Sequence, residues 1–299
     1  MKLQEVFMYY TSIGLIIYVL AIAFILGAVF GSFIDCTAWR IVNNEKVLDG
    51  RSHCDVCNHR LGIRDLIPIV SYIGSGGKCR YCGAKISPES TWTEIILGLV
   101  FAAAVFKFDI SFVALRIMGL AVILMGLSLV DLKTYIIPDR FHVAGILWWL
   151  ITLPLITYTK GVGIMSFLSQ DFYPVPGYEP PGEFVGLSFY SYMLRDFMMG
   201  FVSGLSVAFF MMIISLVFDR ISGKESLGGG DIKLFFMTGL YMSTFVALFN
   251  LILSCIVGLI FVFCLKKEKI PFGPAVSVAS LVSVMAGSEF IAWYTSLLV

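Results

Sequence analysis

Residues 234–265 read LFFMTGLYMSTFVALFNLILSCIVGLIFVFCL, 32 positions without a charged side chain. A helix crosses the hydrocarbon core of a bilayer in about 20 residues, so this run is long for one crossing and short for two. A tight hairpin near Tyr241–Thr244 resolves it into two helices. The basic residues arbitrate, because cytoplasmic segments of membrane proteins concentrate lysine and arginine. With two crossings here, Lys266, Lys267 and Lys269 fall on the same side as Arg40, Lys46, Arg51, Arg60, Arg64, Lys78, Arg80 and Lys85. Lys133, Arg140, Arg220, Lys224 and Lys233 join them, which gathers sixteen of the 21 Lys and Arg on one face. A single crossing would send the cluster at 266–269 to the other side. The expectation is eight spans with both termini outside.

The rest of the chain is of the same kind. It is 59% hydrophobic and 14% charged, with a mean hydropathy of +0.91, whereas soluble domains carry about 25% charged residues. The fold class is therefore an all-α polytopic membrane protein of about eight transmembrane helices, set in a lipid bilayer. A net charge of +1 gives no argument for a nucleic acid or an acidic partner. The run Thr11–Ile34 is too long for a signal-peptide core of roughly 7–15 residues and reads as a retained span. Further spans read as about Thr91–Phe106, Phe112–Val130, Phe141–Tyr158, Phe197–Phe218 and Pro274–Leu298. The organisation is a first transmembrane helix at 1–36, a cytoplasmic polar insertion at 37–90 and a transmembrane core at 91–299. An extracytoplasmic loop at about 159–196, rich in Pro, Gly and aromatics, reads as irregular. No internal repeat is apparent.

The polar insertion holds Cys54-Asp-Val-Cys57 and Cys79-Arg-Tyr-Cys82. Each CxxC turn aims two thiolates at one point, and two such turns close a tetrahedral four-sulfur shell of the kind zinc takes in a zinc ribbon. Four sulfurs leave no open coordination position, so the metal would be structural. A redox dithiol is the competing reading, although a reducing cytosol disfavours paired disulfides. His53 and His59 flank the first pair and are expected to be bystanders. Cys36, Cys255 and Cys264 lie in or beside apolar runs and read as small buried hydrophobes.

Two further segments bring carboxylates to the edges of apolar runs, where they are costly. They are Asp131-Leu-Lys-Thr-Tyr-Ile-Ile-Pro138-Asp139 and Gly228-Gly229-Gly230-Asp231-Ile-Lys233. Two spans separate Asp131 from Asp231, and an even number of crossings returns the chain to the same face. Carboxyls within hydrogen-bonding distance share a proton, the charged one activating water and the neutral one donating to a carbonyl. The glycines allow positive φ and close approach of an extended peptide. Taken singly, each acid also suits a helix cap or an interfacial anchor. Asp139 after Pro138 reads as a cap into the next span. Lys133 and Lys233, two residues after the acids, either tune their charge or follow the positive-inside pattern.

In this order, these residues resemble the type IV prepilin peptidase family, a branch of the GxGD intramembrane aspartyl proteases. The pattern of Asp, a short polar stretch and Pro-Asp is met at Asp131–Asp139, GxGD at Gly228–Asp231, and the paired CxxC domain at Cys54–Cys82. Gly31-Ser-Phe33 and Asp65-Leu-Ile-Pro-Ile-Val-Ser-Tyr72 resemble further family segments. The resemblance implies Asp131 and Asp231 as the catalytic pair of a protease core. Gly228, Gly229, Gly230, Pro138, Asp139, Lys133 and Lys233 would be the supporting motif, with structural zinc on Cys54, Cys57, Cys79 and Cys82. It implies prepilin or pseudopilin substrates, cut at the cytoplasmic face of a bacterial cytoplasmic membrane. It also implies N-methylation of the new amino terminus with S-adenosylmethionine; no Rossmann-type glycine fingerprint is present, so this rests on the resemblance alone. The family's usual asparagine after Gly-Ser-Phe-x is Asp35 here, and the usual proline of the first CxxC is replaced by Asp55-Val56. A leader peptidase without methyl transfer is the nearest alternative. A proton-coupled transporter would explain the acids but neither GxGD nor the four cysteines, and a membrane thiol oxidoreductase would explain only the cysteines.

Overall fold

A computed structural model describes residues 13–46, 51–171, 183–223, 228–265 and 271–297. Its helices are α1 (Ile13–Val42), the short α2 (Val70–Gly74), α3 (Glu89–Phe108), α4 (Phe112–Thr134), α5 (Asp139–Asp171), α6 (Glu183–Ser222), α7 (Gly229–Gly239), α8 (Thr244–Leu265) and α9 (Gly273–Ser296). Among the described residues, seven helices are long and apolar enough to cross a membrane. Their outward faces carry large apolar side chains, among them Ile17, Ile25 and Phe33 on α1 and Phe245, Leu259 and Phe263 on α8. Surfaces of this extent fit lipid contact rather than water. The chain is a multi-pass membrane protein.

The uncharged run at 234–265 breaks where expected. Tyr241 and Met242 donate their N–H groups to Thr238 and Gly239, and α8 begins at Thr244. The helix before the break differs from a full span. α7 has 11 residues, a rise of about 16 Å against a hydrocarbon core of about 30 Å. The apolar run overstates it, because the helix begins at Gly229 and ends at Gly239 while the apolar side chains continue through the turn. Lys224, Lys266, Lys267 and Lys269, used above to orient the chain, lie outside the described residues.

Helix also replaces most of the expected irregular loop at 159–196. α5 continues to Asp171 and α6 starts at Glu183. The helix carries Pro154 within it, and the next proline is Pro174, three residues beyond its end. Residues 172–182 lie outside the described residues. Cys255 and Cys264 are exposed on the apolar α8, and Cys36 is half-buried with its Sγ 3.8 Å from the Ser52 hydroxyl, so the expectation of buried cysteines fails.

The chain divides into two units. The first comprises Met1–Phe141 with Phe261–Ser277. Within it α1 packs on α3, where Gly27 and Gly31, one turn apart, let the backbones meet. A Cβ on Gly31 would stand 2.7 Å from the Glu94 Cα. Close approach through small residues is how helices associate without a hydrophobic driving force. The second unit comprises His142–Ile260 with Val278–Val299. There Gly204 of α6 lies against the Phe236 carbonyl of α7 in the same manner. Asn250 of α8 bonds Ser280 of α9 at 3.2 Å and accepts from Ser283 at 3.4 Å. Interhelical hydrogen bonds of this kind contribute about 0.6 kcal/mol each.

The polar insertion contains a repeat that its side chains hide. Cys54 N–H bonds the His59 carbonyl and Asn58 N–H the Cys54 carbonyl; Cys79 bonds Ala84, and Gly83 bonds Cys79, in the same way. Leu61 to Ser52 and Ile86 to Gly77 close the two loops identically. Asn58 and Gly83 take the same positive φ, 55° and 73°. Only the cysteines are common to CDVC and CRYC, so the repeat is one of backbone.

Candidate active site

The four cysteines are brought together. The Sγ atoms of Cys54, Cys57, Cys79 and Cys82 all lie within 4.8 Å of one another, and Cys54 and Cys82 are 3.9 Å apart. A tetrahedron with metal–sulfur arms of about 2.3 Å has edges of about 3.8 Å, so the Cys54–Cys82 edge already fits one ion and the set closes around it with a contraction of about 1 Å at most. The N–H groups of Cys57 and then Val56 hold the Cys54 thiol down at about 7, which supplies one thiolate near neutral pH. The Ala84 N–H favours the Cys82 thiolate, but burial and the neighbouring cysteines outweigh it and push that thiol up to about 11. His53 turns its ring edge to Trp39 and His59 stacks on Tyr81; the cluster consists of cysteines alone.

The link between the knuckles is tied down at both ends. Asp65 accepts from Gly62 N–H at 3.1 Å and from the Tyr81 hydroxyl at 3.0 Å, and pairs with Arg80 at 3.5 Å. The hydrogen bond to Asp65 raises the Tyr81 phenol above its usual range. Ile69 donates its N–H to Glu94 Oε2 at 2.7 Å, from a φ of 63° that a β-branched side chain rarely adopts.

Asp131 occupies the last turn of α4 and is 3% exposed. Its Oδ2 accepts the N–H of Gly273 at 2.9 Å, one of the first-turn donors that α9 cannot satisfy internally. A side chain at position 273 would run into the Asp131 carboxyl and into Leu127. Tyr135 closes α4 in the left-handed conformation, with its N–H on the Asp131 carbonyl at 2.8 Å. Lys133 reaches Glu89 at the start of α3, 3.1 Å away. Both partners are solvent-exposed enough for such a pair to contribute little. Asp139 is the exposed first residue of α5, where a negative charge suits the helix N-terminus. Pro138 accepts the Phe141 N–H just before it.

Asp231 lies in the other unit, in the first turn of α7, half-buried, with its N–H on the Gly228 carbonyl at 3.0 Å. The glycines before it do not use positive φ. Gly228 is extended, at φ −69° and ψ 139°, and Gly229 and Gly230 already belong to the helix. What they contribute is a strip of bare backbone, with Gly228 and Gly229 exposed and open space where a Gly229 side chain would stand. Lys233 is exposed two residues further on.

Two residues that the sequence did not single out fix this turn. His142, 4% exposed in α5, donates from Nε2 to the Gly230 carbonyl, 3.2 Å away. At the other end of α7 the Tyr241 hydroxyl donates to the Gly145 carbonyl at 2.6 Å. Between them Gly145 packs against Met237. The short helix carrying Asp231 is thus pinned to α5 at both ends. An ionisable residue in an apolar span was the available signal for His142, and Pro271-Phe-Gly-Pro274 the signal for Gly273.

Residues 25–108 match the family model described as Bacterial Peptidase A24 N-terminal domain. The chain is 25% identical over 283 residues to a protein of Bacillus subtilis (strain 168) named prepilin leader peptidase/N-methyltransferase, covering 92% of this chain and 97% of that one. It is 28% identical over 286 residues to the type 4 prepilin-like proteins leader peptide-processing enzyme of Escherichia coli O78:H11, covering 88% and 93%. A prepilin leader peptidase/N-methyltransferase of Aeromonas salmonicida is 27% identical over 255 residues, 82% of this chain and 75% of that one. No solved structure matches.

Proposed function

We propose, for a chain that is a relative of the prepilin leader peptidase/N-methyltransferases, an intramembrane aspartyl endopeptidase that removes the leader of type IV prepilins or pseudopilins. The observation that carries this reading is the ordered set of motifs from Gly31 to Lys233, in a chain aligned with such enzymes over most of its length. The positive-inside count supports cleavage at the cytoplasmic face, on the side of the acids and the cysteine domain.

Asp131 and Asp231 are the catalytic pair. One carboxylate takes a proton from water while the other, protonated, donates to the carbonyl oxygen of the scissile peptide. The resulting tetrahedral diol collapses as the amide nitrogen is protonated and the C–N bond breaks. Gly273 orients the first acid; His142 and the Gly228–Gly230 strip orient the second and leave room for an extended substrate strand. The four cysteines hold zinc, which ties the two knuckles together and takes no part in the chemistry. S-adenosylmethionine, when bound, supplies the methyl group for the new amino terminus.

Mass spectrometry of a prepilin incubated with the protein in detergent, with and without S-adenosylmethionine, tests both activities. The expected products are a leaderless chain in either case and a chain heavier by one methyl group only with the donor. An uncut prepilin contradicts the reading. Cleavage without methylation would leave a leader peptidase alone, the reading that Asp35 in place of asparagine favours.

A further inference from the structure

The link between the two knuckles is turned inside out. Its large aliphatic side chains, Ile63, Leu66, Ile67, Val70 and Ile73, all point away from the domain. Ile63 is 85% exposed, Ile73 71% and Val70 62%. The polar Asp65, Ser71 and Tyr72 are the ones drawn inward, Asp65 onto Gly62, Tyr81 and Arg80. The aliphatic positions recur at intervals of three and four, the spacing of one helical face. A patch of this kind on a domain surrounded by water marks a surface that is covered by something else. We propose that the link is an interfacial segment, whose aliphatic side chains insert into the leaflet beside the cysteine domain, among lipids with anionic headgroups.

One hydrogen bond sets the depth. α3 has 20 residues, a rise of about 30 Å that matches the hydrocarbon core of a bilayer, so its first turns stand at the membrane boundary. Trp92, exposed in those turns, is a residue that favours the headgroup layer. Glu94 lies five positions into the helix, about 7.5 Å along its axis, and its side chain leans back toward the helix start. The Ile69 N–H is 2.7 Å from that buried carboxyl. The middle of the link is therefore held level with the first turns of a membrane span, not out in solution. Ile69 keeps a φ of 63° at this contact, a conformation that a β-branched residue holds only where its surroundings enforce it.

The charge of the domain suits the same partner. Residues 51–88 carry Arg51, Arg60, Arg64, Lys78, Arg80 and Lys85, all exposed, against Asp55 and Asp65. The excess survives the double negative charge of a divalent ion on four thiolates. Basic residues beside a bilayer are attracted to anionic lipid. Arg64 stands between Ile63 and Leu66, where its stem can lie along apolar surface while the guanidinium reaches a phosphate. Apolar side chains that enter the acyl boundary beneath a basic rim are the pattern of segments that lie in the plane of the membrane.

The test uses the full-length protein in vesicles of phosphatidylethanolamine and phosphatidylglycerol that contain a phosphatidylglycerol with a photoreactive acyl chain. After illumination the labelled peptides are mapped, with the peptide that holds the exposed Leu99 of α3 as the lipid-facing reference. Label within 63–74 supports the proposal, and label confined to the spans overturns it. Replacing phosphatidylglycerol, including the photoreactive lipid, by phosphatidylcholine is expected to lower the label in 63–74 at least about threefold relative to the reference; an unchanged ratio overturns the assignment to anionic lipid. The double variant Ile67→Glu, Val70→Glu is expected to lose at least about fivefold of that label, and wild-type labelling in a variant that keeps its metal and its thermal unfolding overturns the insertion. Where the variant fails to fold, the wild-type map decides. A prepilin added to the vesicles tests the competing occupant. Label that stays on 63–74 supports lipid, whereas label lost there but kept on the reference assigns the patch to the substrate and overturns the proposal.

Discussion

The Gly273 N–H donates to Asp131 Oδ2 at 2.9 Å, joining the start of α9 to the end of α4 across 142 positions of sequence. This contact leaves no space for a Cβ. Gly273→Ala drives a methyl group into the Asp131 carboxyl and Leu127. Overpacking costs about 1–3 kcal/mol, and displacing a catalytic group by about 1 Å costs about 10²-fold in rate. The expected outcome is a protein that still inserts, with kcat for prepilin cleavage lower by about that factor, measured against wild type at matched expression.

His142 offers a second lever on the same chemistry, from the other unit. His142→Phe keeps an aromatic ring in the site but leaves the Gly230 carbonyl without its Nε2 donor, at a cost of about 1–3 kcal/mol. Cleavage is expected to slow by about tenfold, chiefly in kcat. His142→Gln, which retains a donor, is expected to recover part of the loss. The comparison is made by steady-state kinetics on one synthetic prepilin.

The metal centre responds to both mutation and pH. Cys54→Ser removes a thiol held down at about 7, and is expected to release the ion and destabilise residues 51–86. In wild type, binding must displace protons, above all from Cys82 with its thiol at about 11. Affinity therefore rises with pH, and the ion is expected to leave as pH falls from 8 to 6. Without metal, the depressed Cys54 thiol contributes stability that is complete above 9.0 and lost as pH falls through about 7. A chromogenic chelator reads the release directly.

Much of this was legible in the sequence because it is local. The two CxxC pairs declare their geometry within four residues each, and the hairpin at Tyr241 follows from the length of an uncharged run. What escaped depends on partners distant in sequence or on backbone alone. Gly273 reads as a turn residue until α9 is seen to begin against Asp131. His142 is one ionisable group in an apolar span, and the carbonyl it serves lies 88 residues away. The shortness of α7 is invisible to hydropathy, which counts the side chains of the turn as readily as those of the helix. The knuckle repeat is likewise invisible, because Asn58 and Gly83 share a conformation without sharing a side chain.

Cleavage of a prepilin by Asp131→Asn and Asp231→Asn, read by mass spectrometry beside wild type, tests whether these two carboxyls are the catalytic pair. Asparagine keeps the shape of each side chain and removes its ability to hold or give the catalytic proton. Both variants are expected to insert, retain their metal and leave the prepilin uncut, a loss of at least about 10³-fold by analogy with the removal of other essential catalytic groups. Cleavage at the wild-type position and near the wild-type rate by either variant would contradict it.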